Sequence, residues 1–329
     1  MLRRSQDRLH TSSDGQKYAV SVPSLNANYS FKYFGQNKGV AVYSFIDERH
    51  LLFYSTVISS SEREAAYVID GLLHNEVIKS DIHSTDSHGF TEIVFGVTHL
   101  LGFSFAPRLK QLSKHRLYSF EKRKIYENLG FKILPKLYID TKLIEDNWDD
   151  ILRFVATIKL KHTTASQLFK RLNSYSKQHP LYQALKEFGK IIKTLFILRY
   201  IDDVELRQAI EKQLNKIEHA HRFAKAIAFG SSQEITQAEK EDQDISAECR
   251  RLIENSVICW NYLYLTHKLT KADKIEKDEL LKAIKEGSII TRRHINFHGE
   301  YDFSEEKLRD SVGLVLPEIL NWKLEEKRE

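Results

Sequence analysis

The apolar residues of this chain change their spacing partway along, and that change restricts the fold more than any single motif does. Up to about residue 120 they fall in short alternating runs, with KYAVSV, GVAVYSFI and LLFYSTV each bounded by Gly, Asn, Asp or Arg. Alternation puts successive side chains on opposite faces of an extended backbone, so these runs predict three strands joined by turns. In EREAAYVIDGLL the spacing of Ala65, Ile69, Leu72 and Leu73 becomes helical, with Ser60 and Ser61 as candidate N-caps. DIHSTD predicts a further strand. FTEIVFGVTHLLGF predicts a helix through Ile93, Val94, Val97, Leu100 and Leu101, and RLYSF a short strand. From about Leu143 onward the pattern is almost wholly helical. The expected class is α/β or α+β, with strands and helices first and packed helices after them.

A length of 329 residues, 42% of them hydrophobic, is enough for a sizeable core and suggests about two domains. Lys and Arg number 50 against 45 Asp and Glu, a net charge of +5 that suits a nucleic-acid partner without requiring one. Cys249 and Cys259 fall in a helical stretch, several turns apart, which argues against a disulfide and for a reducing compartment. No apolar run approaches the roughly 20 residues that cross a bilayer, and MLRRSQDRLH has no hydrophobic core behind its arginines. A cytoplasmic protein with no membrane partner is the expectation.

Several residue groups carry candidate chemistry, each beside an ordinary structural explanation. Ser12, Ser13, Asp14 and Gly15 spell a polar turn. Asp86 ends DIHSTD, where it suits a cap for the helix that follows. Glu218 borders a helical stripe of Ile210, Leu214, Ile217 and Ala224, where it suits either an ion pair with Arg222 or a metal ligand with a fixed stem and an accessible head. The histidines His88, His99, His219 and His221 lack zinc-ligand spacing. The chain has no Gly-rich phosphate loop and no Gly-x-Ser-x-Gly elbow. What is left is a set of oxygen ligands for a hard cation such as Mg²⁺. Basic residues interleaved with Phe and Tyr gather in RLKQLSKHRLYSFEKRK and IKLKHTTASQLFKRLNSYSKQH, a pattern that fits either a solvated helix face or a path for DNA. Arg108, Lys110, Lys159, Lys161, Lys170 and Arg171 are the candidate phosphate contacts within them.

Taken as a set, the motifs resemble the catalytic domain of the Tn-three family of replicative bacterial transposases. SSDGQKY resembles the family's first-aspartate motif, and NYSFKYFGQNKGV the segment after it. STDSHGFTEIVFGVTHLLGFSFAPRL is the most diagnostic stretch, and the block from KTLFILRY to AKAIAFG resembles the one carrying the catalytic glutamate. ICWNYLYL and HINFHGEYDF resemble the closing motifs, so that the likeness covers roughly residues 10 to 305. It implies an α/β fold with a ribonuclease-H-like core over 10–135 and a helical insertion over 136–200. A glutamate helix with its packing helix would follow over 201–268, and a C-terminal helical tail over 269–329.

The resemblance further implies that Asp14, Asp86 and Glu218 are the catalytic and metal-binding carboxylates. They would hold two Mg²⁺ ions, with Mn²⁺ as a substitute, roughly 3.5 to 4 Å apart. Ser13, His88, Asn215 and Lys216 would support them. The implied reaction is cleavage at transposon ends followed by strand transfer to target DNA, and the implied assembly is a homodimer. The family usually has Gly where this chain has Ile217, so a bulkier side chain must pack before the glutamate. The chain begins almost at the first aspartate, without the family's N-terminal recognition domains. The expectation is therefore a truncated transposase, and its alternative a non-enzymatic DNA-binding remnant or a regulator of a full-length transposase.

Overall fold

A computed structural model describes residues 8–86, 89–174, 179–228, 233–300, 302 and 304. Its strands are β1 (His10–Ala19), β2 (Asn28–Tyr29), β3 (Lys38–Asp47), β4 (Leu52–Ser59), β5 (Ile82–Thr85), β6 (Ser104–Phe105), β7 (Tyr118–Ser119) and β8 (Leu137–Tyr138). Its helices are α1 (Phe31–Phe34), α2 (Ala65–Leu73), α3 (Glu92–Leu100), α4 (Arg123–Asn128), α5 (Thr141–Asp146), α6 (Trp148–Lys159), α7 (Ala165–Ser174), α8 (Pro180–Asp202), α9 (Val204–Ile227), α10 (Lys240–Lys271) and α11 (Lys274–Glu286). The mixed α/β class expected from the spacing is what the chain adopts.

The main sheet is built on β1. β3 pairs with it antiparallel, β4 pairs antiparallel with the far edge of β3, and β5 and β6 continue parallel on the other side. The three long strands are a meander, while the step from β4 to β5 needs a crossover, which α2 supplies. The predicted strand at RLYSF forms, but as β7 it pairs with β8 in a separate two-stranded sheet.

Register decides which residues share a face. Ser13 lies opposite Phe45 and Asp14 opposite Ser44, so odd-numbered β1 residues share a face with Tyr43 and Phe45, and even-numbered ones with Val42 and Ile46. Ala41, Tyr43 and Phe45 pack against Ala65, Val68 and Leu72 of α2 and Val94 and Phe95 of α3. A second apolar cluster joins α2 and α3 to α6, α7 and α8. Each fully buried large side chain contributes about 1.5–3 kcal/mol by leaving water. Gly71 is essential to this packing, because a Cβ there would meet the Phe45 ring at 2.1–2.6 Å.

Two local expectations are corrected. Ser60 and Ser61 do not cap α2: Ser60 donates to the Asn28 carbonyl, Ser61 accepts from the Asn28 amide, and Glu64 occupies the N-cap position. Ser12 to Gly15 are not a turn but the middle of β1. Helix α7 takes its cap from elsewhere in the fold, since the Asp70 carboxylate on α2 accepts the Ala165 and Ser166 amides at 2.6 and 3.3 Å.

The chain divides into two compact units, Met1–Glu218 with Glu234–Ala247, and His219–Gln233 with Glu248–Glu329. The first holds the sheet and α1 to α8. In the second, Asn261 donates to the carbonyls of Ile289 and Thr291 at 2.8 and 2.9 Å, and Asp273 caps α11 through the amides of Ile275 and Glu276. Burial there raises the Glu254 carboxyl to about 8. Cys249 and Cys259 are exposed free thiols. Among the described residues, no helix is long and apolar enough to cross a membrane.

Candidate active site

Strand β1 and its parallel neighbour place two carboxylates together. Ser13 pairs with Thr85, so Asp14, the next residue of β1, and Asp86, the residue just past the C-terminal end of β5, follow in adjacent positions. The helix after Asp86 is capped by Thr91, whose hydroxyl accepts the Val94 amide at 3.3 Å, so Asp86 is not its cap. Helix α9 is tied to the even face of β1. The Ser12 hydroxyl donates to the Gln213 carbonyl at 3.2 Å, and the buried Gln213 amide donates to Ser12 at 3.3 Å and to the Ile46 carbonyl at 3.2 Å. Ile210, Leu214 and Ile217 of the expected stripe are buried, while Ala224 is half-buried. Ile217, at 1% exposure, is accommodated as a core residue. Glu218 beside it is exposed.

Several carboxylates act on Asp14 through their charge. Asp14 is pushed from its ordinary 3.8 up to about 7, by burial first, then by the charge of Glu64, with Asp86 and Glu218 adding smaller repulsions. Glu64 is a fourth carboxylate that the motifs did not single out. It pairs with Lys17 at 3.0 Å and reaches the strand because residue 15 is Gly, where a Cβ would meet Glu64 Oε1 at 2.2 Å. Asp86 is held by two cations. Arg108 Nε and Nη2 donate to its Oδ1 at 3.2 and 3.0 Å, and Lys110 Nζ to its Oδ2 at 3.1 Å. Arg108 Nη1 also donates to Glu211 on α9 at 3.0 Å. Glu211, Asn215 and Glu218 recur at helical spacing on one face of α9, a signal in the sequence that could have found Glu211.

The remaining candidates are distributed differently. Ser13 lies on the opposite face from Asp14, fully buried, with Tyr43 Oη at 2.7 Å and His83 Nε2 at 2.8 Å. Lys216 donates to the Glu48 carbonyl, and burial lowers its pKa. Asn215 is exposed, and His88 lies outside the described residues. Lys159, Lys161 and Arg171 are exposed on α6, α7 and the turn between them, whereas Lys170 pairs with Glu62. Among the described residues, no three His, Cys, Asp or Glu side chains stand in position to share one metal ion.

Comparison with known proteins places the chain in a family. Residues 4–301 match the Tn3 transposase DDE domain, and the chain belongs to that family. Over 305 residues it is 37% identical to the transposase for transposon Tn1546 of Enterococcus faecium and 35% identical to that for transposon Tn501 of Pseudomonas aeruginosa, with 92% of this chain covered in each case. It is 31% identical over 297 residues to the transposase for transposon gamma-delta of Escherichia coli (strain K12). The chain spans 30% of the length of the first two relatives and 29% of the third.

Proposed function

We propose that this chain is the catalytic domain of a DNA transposase that cleaves DNA at transposon ends and joins the freed 3′ ends to target DNA, with Asp14, Asp86 and Glu218 as its metal-binding carboxylates. The observation that carries the reading is the convergence of charge on Asp14. Three motif-bearing carboxylates, one from β1, one from the end of β5 and one from α9, lie near enough for two of them to raise the pKa of the third. The strand order supports a ribonuclease-H-like core, with three antiparallel strands followed by two parallel ones and the glutamate helix on the β1 face. The core takes in 10–135 and 201–268, and helices α5 to α8 make up most of a helical insertion over 136–200.

The donor set suits Mg²⁺ or Mn²⁺. All candidate ligands are carboxylate oxygens, and a divalent cation would offset the burial and the like charges that raise the Asp14 pKa. Asp14, Asp86 and Glu218 would hold the two ions, whose chemistry is activation of the attacking oxygen and stabilisation of the leaving one. For this, Asp86 must give up at least part of its pairing with Arg108 and Lys110. The chain's own residues then set the geometry. Ser12 and Gln213 fix α9 on the sheet, and Gly15 leaves room for Glu64 beside Asp14. Lys159, Lys161, Lys170 and Arg171 would carry the DNA backbone, and binding through them should weaken with rising salt.

Incubation of the purified chain with pre-nicked transposon ends and Mn²⁺ tests the reading. Cleavage or joining that disappears in Asp86→Ala and Glu218→Ala supports it, and activity that survives both substitutions rejects it.

A further inference from the structure

The two oxygens of Asp86 are both engaged by cations from one short segment, and the segment is built to hold them there. The Arg108 amide donates to the Thr85 carbonyl at 2.9 Å, which extends the strand ladder and fixes the Arg108 backbone beside Asp86. From that stem the guanidinium spans Asp86 and Glu211, so it bridges the end of β5 and α9. Two positions on, the Lys110 side chain is 53% exposed, and its ammonium caps the other oxygen. Each contact is a charge-assisted hydrogen bond, the strong kind. A divalent cation taking Asp86 as a ligand competes for these lone pairs. A phosphodiester offers the same guanidinium and ammonium an equivalent anionic partner, in the bidentate form that Arg favours. Glu211 keeps one N–H of Arg108 occupied while the other contacts change hands.

We propose that Arg108 and Lys110 are exchangeable counter-ions of Asp86: they close the site to divalent cations until the phosphates of a DNA duplex draw them away, so that DNA and metal bind cooperatively. This rests on the reading of Asp86 as a metal ligand. It assigns the two side chains a coupling role in addition to phosphate contact, and linkage makes the coupling reciprocal, with metal strengthening DNA binding by the factor by which DNA strengthens metal binding.

The test is Mn²⁺ affinity of the full chain, read from the free-ion paramagnetic resonance signal, with and without a duplex of a transposon end. In the parent chain the duplex should tighten Mn²⁺ binding by about tenfold. The double variant Arg108→Gln with Lys110→Gln should bind Mn²⁺ about tenfold more tightly than the parent without DNA, and the duplex should add little further. Lys110→Gln alone, at an exposed position that threatens no packing, should give a smaller shift in the same direction. Lys17→Gln removes a positive charge from the same cluster but leaves Asp86 paired, so it measures the general effect of charge. The proposal is overturned if the double variant gains no more affinity than Lys17→Gln. Asp14→Asn and Glu218→Gln separate the two levels. If they abolish Mn²⁺ binding while the double variant shows no gain, the metal site stands and the exchange falls. If they leave Mn²⁺ binding unchanged in parent and double variant alike, the metal-site reading itself is rejected, and the exchange with it.

Discussion

Strand β1 carries polar side chains on both of its faces, and two buried titratable groups beside it, His83 on the odd face and Asp14 on the even one, sit in contrasting surroundings. On the odd face, Thr11 and Ser13 grip the two ring nitrogens of His83 at 2.8 Å each, Ser13 also meets Tyr43, and Thr11 meets Ser80 at 2.6 Å. The His83 ring lies stacked between Phe45 and Phe105, and burial lowers its pKa to about 3, so it is neutral. Thr11, Ser13, Tyr43 and His83 all have partners there. On the even face, Asp14 is driven up to about 7 by burial and by like charges. The contrast separates two kinds of buried polarity: a neutral histidine held between hydroxyls, and a carboxyl whose charged form is disfavoured by burial and by neighbouring carboxylates.

Four experiments test this division, in order of expected effect. Asp14→Asn should lower transposon-end cleavage by about 10³-fold or more, since it removes several kcal/mol of metal-dependent stabilisation, while chemical denaturation at pH 8 shows stability unchanged or raised. A variant that lost both activity and stability would make Asp14 structural. Gly71→Ala should cost about 3 kcal/mol in the same denaturation assay, because the new methyl displaces the Phe45 ring that stacks on His83. Ser13→Ala should cost about 1–2 kcal/mol by depriving His83 and Tyr43 of a partner. Mn²⁺ affinity should not change with it, and a large loss would return Ser13 to the site.

The last test is pH dependence, where His83 and Asp14 should pull in opposite directions. The His83 pKa falls from 6.5 to about 3 on folding, so its contribution is full above 6.5 and declines as pH falls toward 3 and the unfolded chain takes up the proton. The Asp14 pKa rises from 3.8 to about 7, so its contribution is full below 3.8 and is lost as pH rises toward 7. Asp14→Asn should therefore remove the decline between pH 4 and 7 from the stability profile, while His83→Gln flattens only the acid limb. An unchanged profile in Asp14→Asn would place that carboxyl in water.

These differences also explain what the sequence disclosed. β3 and β4 were legible because their alternating apolar residues are the core, and α3 because its stripe and its Thr91 cap are local. β1 was read as beginning near Lys17, with a polar turn before it. Thr11, Ser12 and Ser13 are buried only through partners far along the chain, and no local pattern shows them. β6 is two residues long and has no periodicity to read. The motif carboxylates stood out through order and resemblance. Glu64 and Glu211 did not, because what brings them to the site is Gly15 on β1 and Arg108 in the segment after β6.

The link between Ser12 and Gln213 spans 201 residues of chain. A ribosome adding about 5–20 residues per second delivers Asp14 roughly 10–40 s before the helix that completes the cluster can dock on its strand. For that interval the newborn protein lacks Glu218, and under the proposed reading the carboxylate set stays incomplete until the α9 segment has left the ribosome. Under that reading, synthesis itself acts as a timer that holds the carboxylate set open until the sheet-and-helix frame has closed.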